Sequence, residues 1–216
     1  MISPGHEQQL GDDRQSRIVI AALAVFSKSS FGDATTAEIA RHAHISKRDI
    51  YAAFPDKHAI LTAAINMVFQ TGEEHLRVVI ADSQTHASSP QEALEVIGLA
   101  LVGEILSPVS GFVFRLVSSE SAEQPAIGTT YFENWYTHRN RTLSQFFFRL
   151  LAKSKARDDR TFDATLASKQ FLSLITHLPQ LTACVGMLNT WNAKSIQTHV
   201  KRSVECFLKA YPELAR

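Results

Sequence analysis

The run from Ser46 to Phe54 places a hydroxyl, two cations, a carboxylate and a phenol on one short segment ahead of Pro55. As a helix begun by Ser46, it turns Ile50 and Phe54 inward, with Ile45 before it. Lys47, Arg48, Asp49 and Ala52 are left outward, and Tyr51 lies at the margin. That order suits a helix that reads DNA, whose N-terminal side chains reach base edges in the major groove while its positive dipole end faces phosphate. Arg48 is expected to take a guanine bidentately and Ala52 to meet a thymine methyl. Asp49 repels phosphate and is left to accept from a cytosine amino group or to buttress Arg48. Lys47 suits phosphate, Tyr51 can reach one through its hydroxyl, and Thr35, Thr36 and Lys57, near two other helix starts, are expected to clamp phosphates.

The charge supporting this reading is local. The 216 residues carry Lys+Arg 22 against Asp+Glu 21, a formal net charge of +1, which argues neither for nor against nucleic acid. Between Arg41 and His58, however, Arg41, Lys47, Arg48 and Lys57 face only Asp49 and Asp56, with His42, His44 and His58 beside them. His42 and His44 lack a third ligand nearby, so a solvated turn is expected there and no metal. No nucleophile elbow, zinc-binding helix or phosphate-cradling glycine loop occurs, and neither an enzyme nor a cofactor is expected.

The elements that must position this segment are helical. RIVIAALAVFSKSS puts Val19, Leu23 and Phe26 on one face, and Gly32-Asp33 ends the pattern. Thr35 and Glu38 have capping-box spacing for a second helix. A tight turn through His44 leads to the Ser46 helix, and Asp56 caps a fourth that begins KHAILTAAINMVFQ. Beyond it, helices are expected near 91–106, 110–122, 126–152, 162–188 and 194–210. SQTHASSPQ, LSPVSG and SKARDDR are expected as linkers. The resulting fold class is all-α. It comprises a disordered tail (1–12), a three-helix helix-turn-helix head (13–58) and a larger helical body (59–216) for ligand binding and dimerisation.

RIVIAALAVF and then FGDATTAEIARHAHISKRDIYAAFPDKHAIL resemble the N-terminal DNA-binding domain of the TetR family of bacterial regulators over roughly residues 17 to 65. RLVSSESAEQPAIGTTYFE and VKRSVECFLKAY resemble, more weakly, the C-terminal domain of its AefR-like branch. The resemblance implies a nine-helix homodimer on double-stranded operator DNA, with a small effector bound in the body. Three positions depart from the pattern. His44 stands where the turn usually has Gly and must take a left-handed conformation, Ile20 replaces a polar residue and is expected to pack on another element, and Asp49 replaces a neutral one.

In the body, Phe112, Arg115, Trp135, Phe146, His177 and Met187 are candidates to line an effector pocket, although the aromatic runs equally suit plain core. Arg115, between Phe114 and Leu116, is expected to be a buried charge, with Glu120 a loose candidate for its partner. Phe171, Leu174, Ile175, Leu178, Val200, Val204 and Phe207 are candidates for a dimer seam, because the last two long helices carry more apolar surface than one intramolecular face needs. Cys184 and Cys206 are expected to be buried and reduced. No signal core or membrane-length apolar run is present, so a cytoplasmic location is expected and no membrane partner. Together these features point to a transcriptional repressor released from a palindromic operator by a small hydrophobic effector. The competing reading is a DNA-binding dimer with no effector.

Overall fold

The computed structural model describes residues 4–29, 31–153 and 162–215. Its helices are α1 (Pro4–Phe26), α2 (Thr36–Ala43), α3 (Lys47–Ala53), α4 (Lys57–His86), α5 (Pro90–Ile105), α6 (Pro108–Glu120), α7 (Pro125–Phe132), α8 (His138–Lys153), α9 (Ala164–Cys184) and α10 (Ala193–Ala210). Among the described residues there is no strand. No single helix among the described residues is long and apolar enough to cross a membrane.

Side-chain caps set most of the boundaries. Thr35 and Ser46 each close a capping box, with Glu38 and Asp49 respectively, and Asp56 accepts from the Ala59 amide at the start of α4. Ser89-Pro90 and Ser107-Pro108 are each an N-cap followed by a proline at the first helical position, where its missing N–H costs nothing. These serine–proline pairs had suggested longer linkers, and in fact they start helices: α4 runs on to His86 and α6 begins at Pro108. Similarly, the stretch expected to be a tail is helical from Pro4 on, again with proline at the first position. The linker SKARDDR lies outside the described residues.

The single helix expected over 126–152 is interrupted. Residues Glu133–Thr137 form a π turn between α7 and α8, closed by the His138 amide donating to the Glu133 carbonyl. One extra residue in a turn rotates everything after it, so the faces of α7 and α8 do not follow a single 3.6-residue register.

Two apolar clusters fill the molecule. The first joins α1, α2 and α3 to the first half of α4 (Ile60, Leu61, Ala64, Ile65, Phe69) and continues to Ile105, Val113, Leu116, Ile127 and Trp135. The second gathers Leu76 and Ile80 of α4 with Leu94, Ile97, Leu101, Phe146, Phe147, Phe171, Ile175, Val204 and Phe207. The α3 head therefore shares one continuous core with the near half of the body. Within α9, Pro179 has no N–H for the carbonyl of Ile175 four residues back. His199 of α10 lies with Nε2 2.9 Å from that oxygen, pinning α10 across the proline.

Candidate functional site

The head is built around α3. Ile50 is fully buried against α1 and α2, which fixes the rotation of the helix. The turn before it runs through His44 at φ 54°, ψ 46°, the only non-glycine residue at positive φ among the described residues. The left-handed conformation expected of His44 is thus the one found. It lets the Ile45 amide donate to the Ala40 carbonyl at 3.0 Å and ends α2 sharply enough for α3 to cross it. Helix α1 braces both partners: Arg17 donates to the Ala43 carbonyl at 2.7 Å, and Arg14 lies 3.6 Å from the Asp49 carboxylate.

Lys47, Arg48, Tyr51 and Ala52 are all exposed on one side of α3, and Tyr51 is 52% accessible despite its size. Arg48 makes no hydrogen bond or ion pair among the described residues, so its five donors remain available. The Lys47 ammonium sits 5.9 Å from the centre of the Tyr51 ring, and the Tyr51 hydroxyl lies 3.3 Å from that of Thr36, which joins the starts of α2 and α3 into one polar edge. Thr35 and Ser46 are exposed caps. Asp49 makes no hydrogen bond to Arg48 among the described residues. It accepts from the Ser46 amide at 3.1 Å and the Ser46 hydroxyl at 2.5 Å. The hydroxyl and amide of Ser46, helped by Arg14 and Arg48, hold its carboxyl below the ordinary range. Thr35 does the same for Glu38 through its amide and then its hydroxyl.

Lys57 corrects one expectation. Its ammonium is half-buried and donates to three carbonyls, those of Phe31 (2.5 Å), Gly32 (3.1 Å) and Ala34 (2.9 Å), and it lies 4.5 Å from the Phe31 ring centre. With all three protons directed at these carbonyls it holds the α1–α2 loop, which favours a structural role over the expected phosphate clamp. Ile20, expected to pack on another element, is 60% exposed.

The body candidates separate. Trp135 is buried and, with Phe69, Ile105, Ser110, Gly111, Phe114, Tyr131, Gln180, Ala183 and Cys184, lines a small cavity of about 20 Å³, the space of one water. Gln180 donates to the Tyr131 hydroxyl at 3.1 Å across it, and burial pushes the Tyr131 phenol well above its ordinary range. Phe112 is half-buried beside the same cluster. Phe146 belongs to the second cluster, away from this cavity, and His177 and Met187 are exposed on the outside. Arg115 is exposed too.

The buried charge is instead Arg139. Its side chain is wholly inaccessible, its guanidinium carbon lies 4.0 Å from the Trp135 ring centre, and Nη2 donates to Glu104 of α5. Its Nε and Nη1 have no acceptor among the described residues, and neither does Glu73 Oε2 a short way along α4 have a donor. Each unmet buried polar group costs about 1–3 kcal/mol. Gly72 makes room for the pair: a β-carbon there would stand 2.9 Å from Nη2 and closer still to the Glu104 carboxylate. The pair sits at the seam of the two apolar clusters. Phe69, Ile105 and Trp135 lie on the head side, and Leu76, Leu101 and Leu143 lie on the other, flanking it along α4, along α5, and from the π turn into α8.

The seam candidates divide into inner and outer residues. Phe171, Ile175, Val200, Val204 and Phe207 are buried within the chain, where Phe147, Phe171 and Phe207 pack ring on ring at 5.2–5.6 Å. Leu174 and Leu178 point outward with Leu181, Val185 and Leu166, all exposed. Leu174 and Leu178 line an open groove of about 640 Å³ between α9 and α10, along with Trp191, His199, Arg202 and Cys206. Cys206 is exposed and Cys184 half-buried, against the expectation for both; both are free thiols. Among the described residues no group of metal-ligating side chains gathers.

Two family models match the sequence: that of the bacterial regulatory proteins, tetR family, over residues 18–64, and that of the AefR-like transcriptional repressor C-terminal domain over residues 92–213. Solved structures show the same fold at low identity. A TetR-family transcriptional regulator from Mesorhizobium loti superposes with TM-score 0.84 at 20% identity, covering 93% of this chain and 97% of its own. The flavonoid-responsive regulator FrrA gives 0.68 at 24%, covering 92% and 97%. The fatty acid degradation regulator FadR from Bacillus halodurans gives 0.62 at 16%, covering 90% and 94%. A comparison with curated proteins gave no match.

Proposed function

The chain belongs to the tetR family of bacterial regulatory proteins, with an AefR-like C-terminal domain, and on that premise we propose that it is a cytoplasmic transcriptional repressor acting as a homodimer on a palindromic operator. The observation that carries the DNA reading is the outer side of α3. Arg48 makes no hydrogen bond or ion pair among the described residues, Lys47, Tyr51 and Ala52 are exposed beside it, and the left-handed turn at His44 sets the helix across α2. In this reading Arg48 reads a base, Ala52 meets a thymine methyl, and Lys47, Tyr51, Thr35 and Thr36 hold phosphates. Ser46 and Asp49 start the helix. One such helix addresses only a few base pairs, so two-fold pairing is needed to specify a genomic site. The exposed leucines of α9 supply the pairing surface.

The working division is a head of residues 13–58 and a body of residues 59–216, with α4 as the lever between them. A small hydrophobic effector is expected in the aromatic box around Trp135. At about 20 Å³ the box is too small for an effector, so an effector must widen it, and it stabilises the widened state by binding that state better. A tenfold bias toward release takes about 1.4 kcal/mol. The small cavity favours a second reading, a DNA-binding dimer with no small-molecule effector.

Selection of genomic DNA by the purified protein supplies the operator for both tests. Arg48→Ala is expected to weaken operator binding by about 1–3 kcal/mol and to relax one base position in each half-site. Unchanged affinity removes α3 as the reading helix. Release of operator by hydrophobic compounds supports the effector, and a screen without release supports the second reading.

A further inference from the structure

Helix α8 reads HRNRTLSQFFFRLLAK, with Arg139, Arg141, Arg149 and Lys153 and no acid. In a chain of formal net charge +1 this is a local concentration of cations. Arg139 turns inward to Glu104, whereas Arg141 and Arg149 are exposed, with exposed Gln145 midway between them. Spaced four apart, these three side chains form one row along α8, about 12 Å from end to end. Facing that row, α4 presents Arg77, Ala81 and Gln84, also close to one line. The two rows wall an open trough of about 390 Å³ whose floor is Ile80 and Phe146, both buried. A second groove of about 230 Å³ shares Gln84, Phe146 and Arg149 with the first and runs on past Ala87 and Leu150 to the start of α5.

Among the described residues no carboxylate lines either groove. The acids that neighbour these residues in sequence are engaged elsewhere. Glu73 accepts from Thr142 and from Arg77 Nε, Asp82 lies beside His86, and Glu92 accepts from Ser88. Arg141 and Arg149 make no hydrogen bond or ion pair among the described residues, and Arg77 keeps both terminal nitrogens available. Three guanidiniums of one sign thus stand around an apolar floor. A low-dielectric wall of that kind focuses the field into the cleft and strengthens its pull on an anion.

We infer that the trough between α4 and α8 binds the oligophosphate chain of a small molecule, a nucleoside polyphosphate or an inorganic polyphosphate. Its volume is that of a small-ligand site. Guanidinium groups pair bidentately with phosphate oxygens, and a row about 12 Å long is spanned by several phosphates and not by one. A chain with acceptor oxygens along its whole length also meets the Gln145 amide in the middle, which a dicarboxylate, anionic only at its ends, leaves unmet. The second groove, with Ala87, Pro90, Ala93 and Leu150, has room for the organic body of a nucleotide. The site shares no residue with the aromatic box around Trp135 and none with the groove between α9 and α10, so it stays open when the proposed pairing surface is covered. Arg77 lies about 30 Å along α4 from Lys57, at about 1.5 Å per residue, so operator DNA held by α3 does not supply these phosphates.

The test is calorimetry of the full-length protein with inorganic triphosphate, ATP, AMP and inorganic phosphate at constant ionic strength. Triphosphate and ATP are expected to bind about tenfold or more tighter than phosphate and AMP, and to raise the unfolding midpoint. Both replaced residues of the double variant Arg141→Gln with Arg149→Gln are exposed, so it should keep the helical circular dichroism and operator binding. It should lose about tenfold or more in triphosphate affinity together with the rise in midpoint. Lys47→Ala with Arg48→Ala, which removes the exposed cations of α3, should leave triphosphate affinity unchanged. ATP binding tighter than triphosphate supports the inference with a nucleotide as the source, and equal binding supports it with the phosphate chain alone. The inference is overturned if neither compound binds, or if phosphate binds as tightly as triphosphate. It is overturned equally if affinity survives the α8 double variant or disappears with the α3 one, since the anion then sits elsewhere.

Discussion

The head and the body solve the same problem, placing polar groups on a helical scaffold, at different ranges. In the head, the polar residues that start the helices act within a few positions of themselves, while Arg14, Arg17, Lys57 and the Thr36–Tyr51 pair reach across. Thr35 binds Glu38, Ser46 binds Asp49, and Asp56 caps Ala59. In the body the decisive polar contacts join helices far apart in sequence: Arg139 with Glu104, Thr142 with Glu73, His199 with the carbonyl freed by Pro179, and Gln180 with Tyr131. Short-range contacts make small, separable contributions. Long-range buried contacts couple elements, so their loss is felt across the fold.

The largest expected effect lies in the body, and it separates its two apolar layers. Phe171 is fully buried between Phe147 and Phe207. Phe171→Glu puts an unpaired charge there and is expected to cost more than about 4 kcal/mol, enough to unfold the chain. Leu178→Glu, one layer further out and 49% exposed, should keep the helical circular dichroism and the unfolding midpoint while halving the sedimenting mass and weakening operator binding. Loss of fold in both variants would show that the outer layer also belongs to the core. An unchanged mass for Leu178→Glu would remove α9 from the proposed pairing surface.

The next effect concerns the seam. Glu104→Gln leaves the Arg139 guanidinium buried without its counter-ion and is expected to cost on the order of 3–5 kcal/mol in urea unfolding. Replacing both partners, as Arg139→Met with Glu104→Leu, should recover most of that, because an apolar pair of similar volume needs no solvation. If the single and double variants are equally destabilised, the cost comes from packing around Gly72 and not from the unpaired charge.

These contrasts explain which parts of the molecule were legible in the sequence. The head was readable because its signals are local. Cap residues at fixed offsets mark the helix starts, and His44 at the turn fixes a left-handed backbone. The body was readable as helices but not as faces. Arg115 sits among Phe114 and Leu116 and looked buried. Arg139 sits in the polar run Thr137-His138-Arg139-Asn140-Arg141-Thr142, where nothing in the sequence marks it for burial. The structure has them the other way round, because the face that packs is chosen by α4 and α5 and by the rotation added at the π turn. Helix α9 is apolar on most sides, so its excess of leucine was visible while the division into inner Phe171 and Ile175 and outer Leu174 and Leu178 was not. Lys57 follows the same rule: it stands at a helix start, but its partners are some 25 residues away in the α1–α2 loop.

Lys57 provides a test of intermediate size in the head. Lys57→Met keeps the apolar stem and removes three donors, and is expected to cost about 1–3 kcal/mol of stability. A phosphate contact would instead leave stability unchanged and lower the salt dependence of operator binding by about one unit. Urea unfolding beside a salt titration of operator affinity separates the two outcomes.

The smallest expected effect is a dependence on pH, and it compares the two regions at matched sites. Glu38 and Asp49 in the head and Glu92 in the body all begin helices, and all are held below the ordinary carboxylate range by hydrogen bonds from a nearby residue, Thr35, Ser46 and Ser88 respectively. A carboxyl with a lowered folded-state pKa binds its proton more readily when unfolded. Its contribution to stability is therefore complete above the unfolded value, roughly pH 4, and is lost as pH falls through the folded value. All three sites are exposed, so the contribution at each is small. Its structural outcome should still differ. Helices α2 and α3 are eight and seven residues long and depend on their caps for a large share of their order, whereas α5, at sixteen residues, is anchored by Leu94, Ile97, Leu101 and Val102 in the second core. Carboxyl resonances of all three side chains should titrate below the ordinary range. Amide protection in the first turns of α2 and α3 should then fall below about pH 4 while α5 keeps its own. Ser46→Ala should return Asp49 toward its ordinary value and leave Glu38 where it was. Equal fraying of α5 would mean that local caps govern helix order in the body as they do in the head, and the contrast between short-range and long-range organisation would fail.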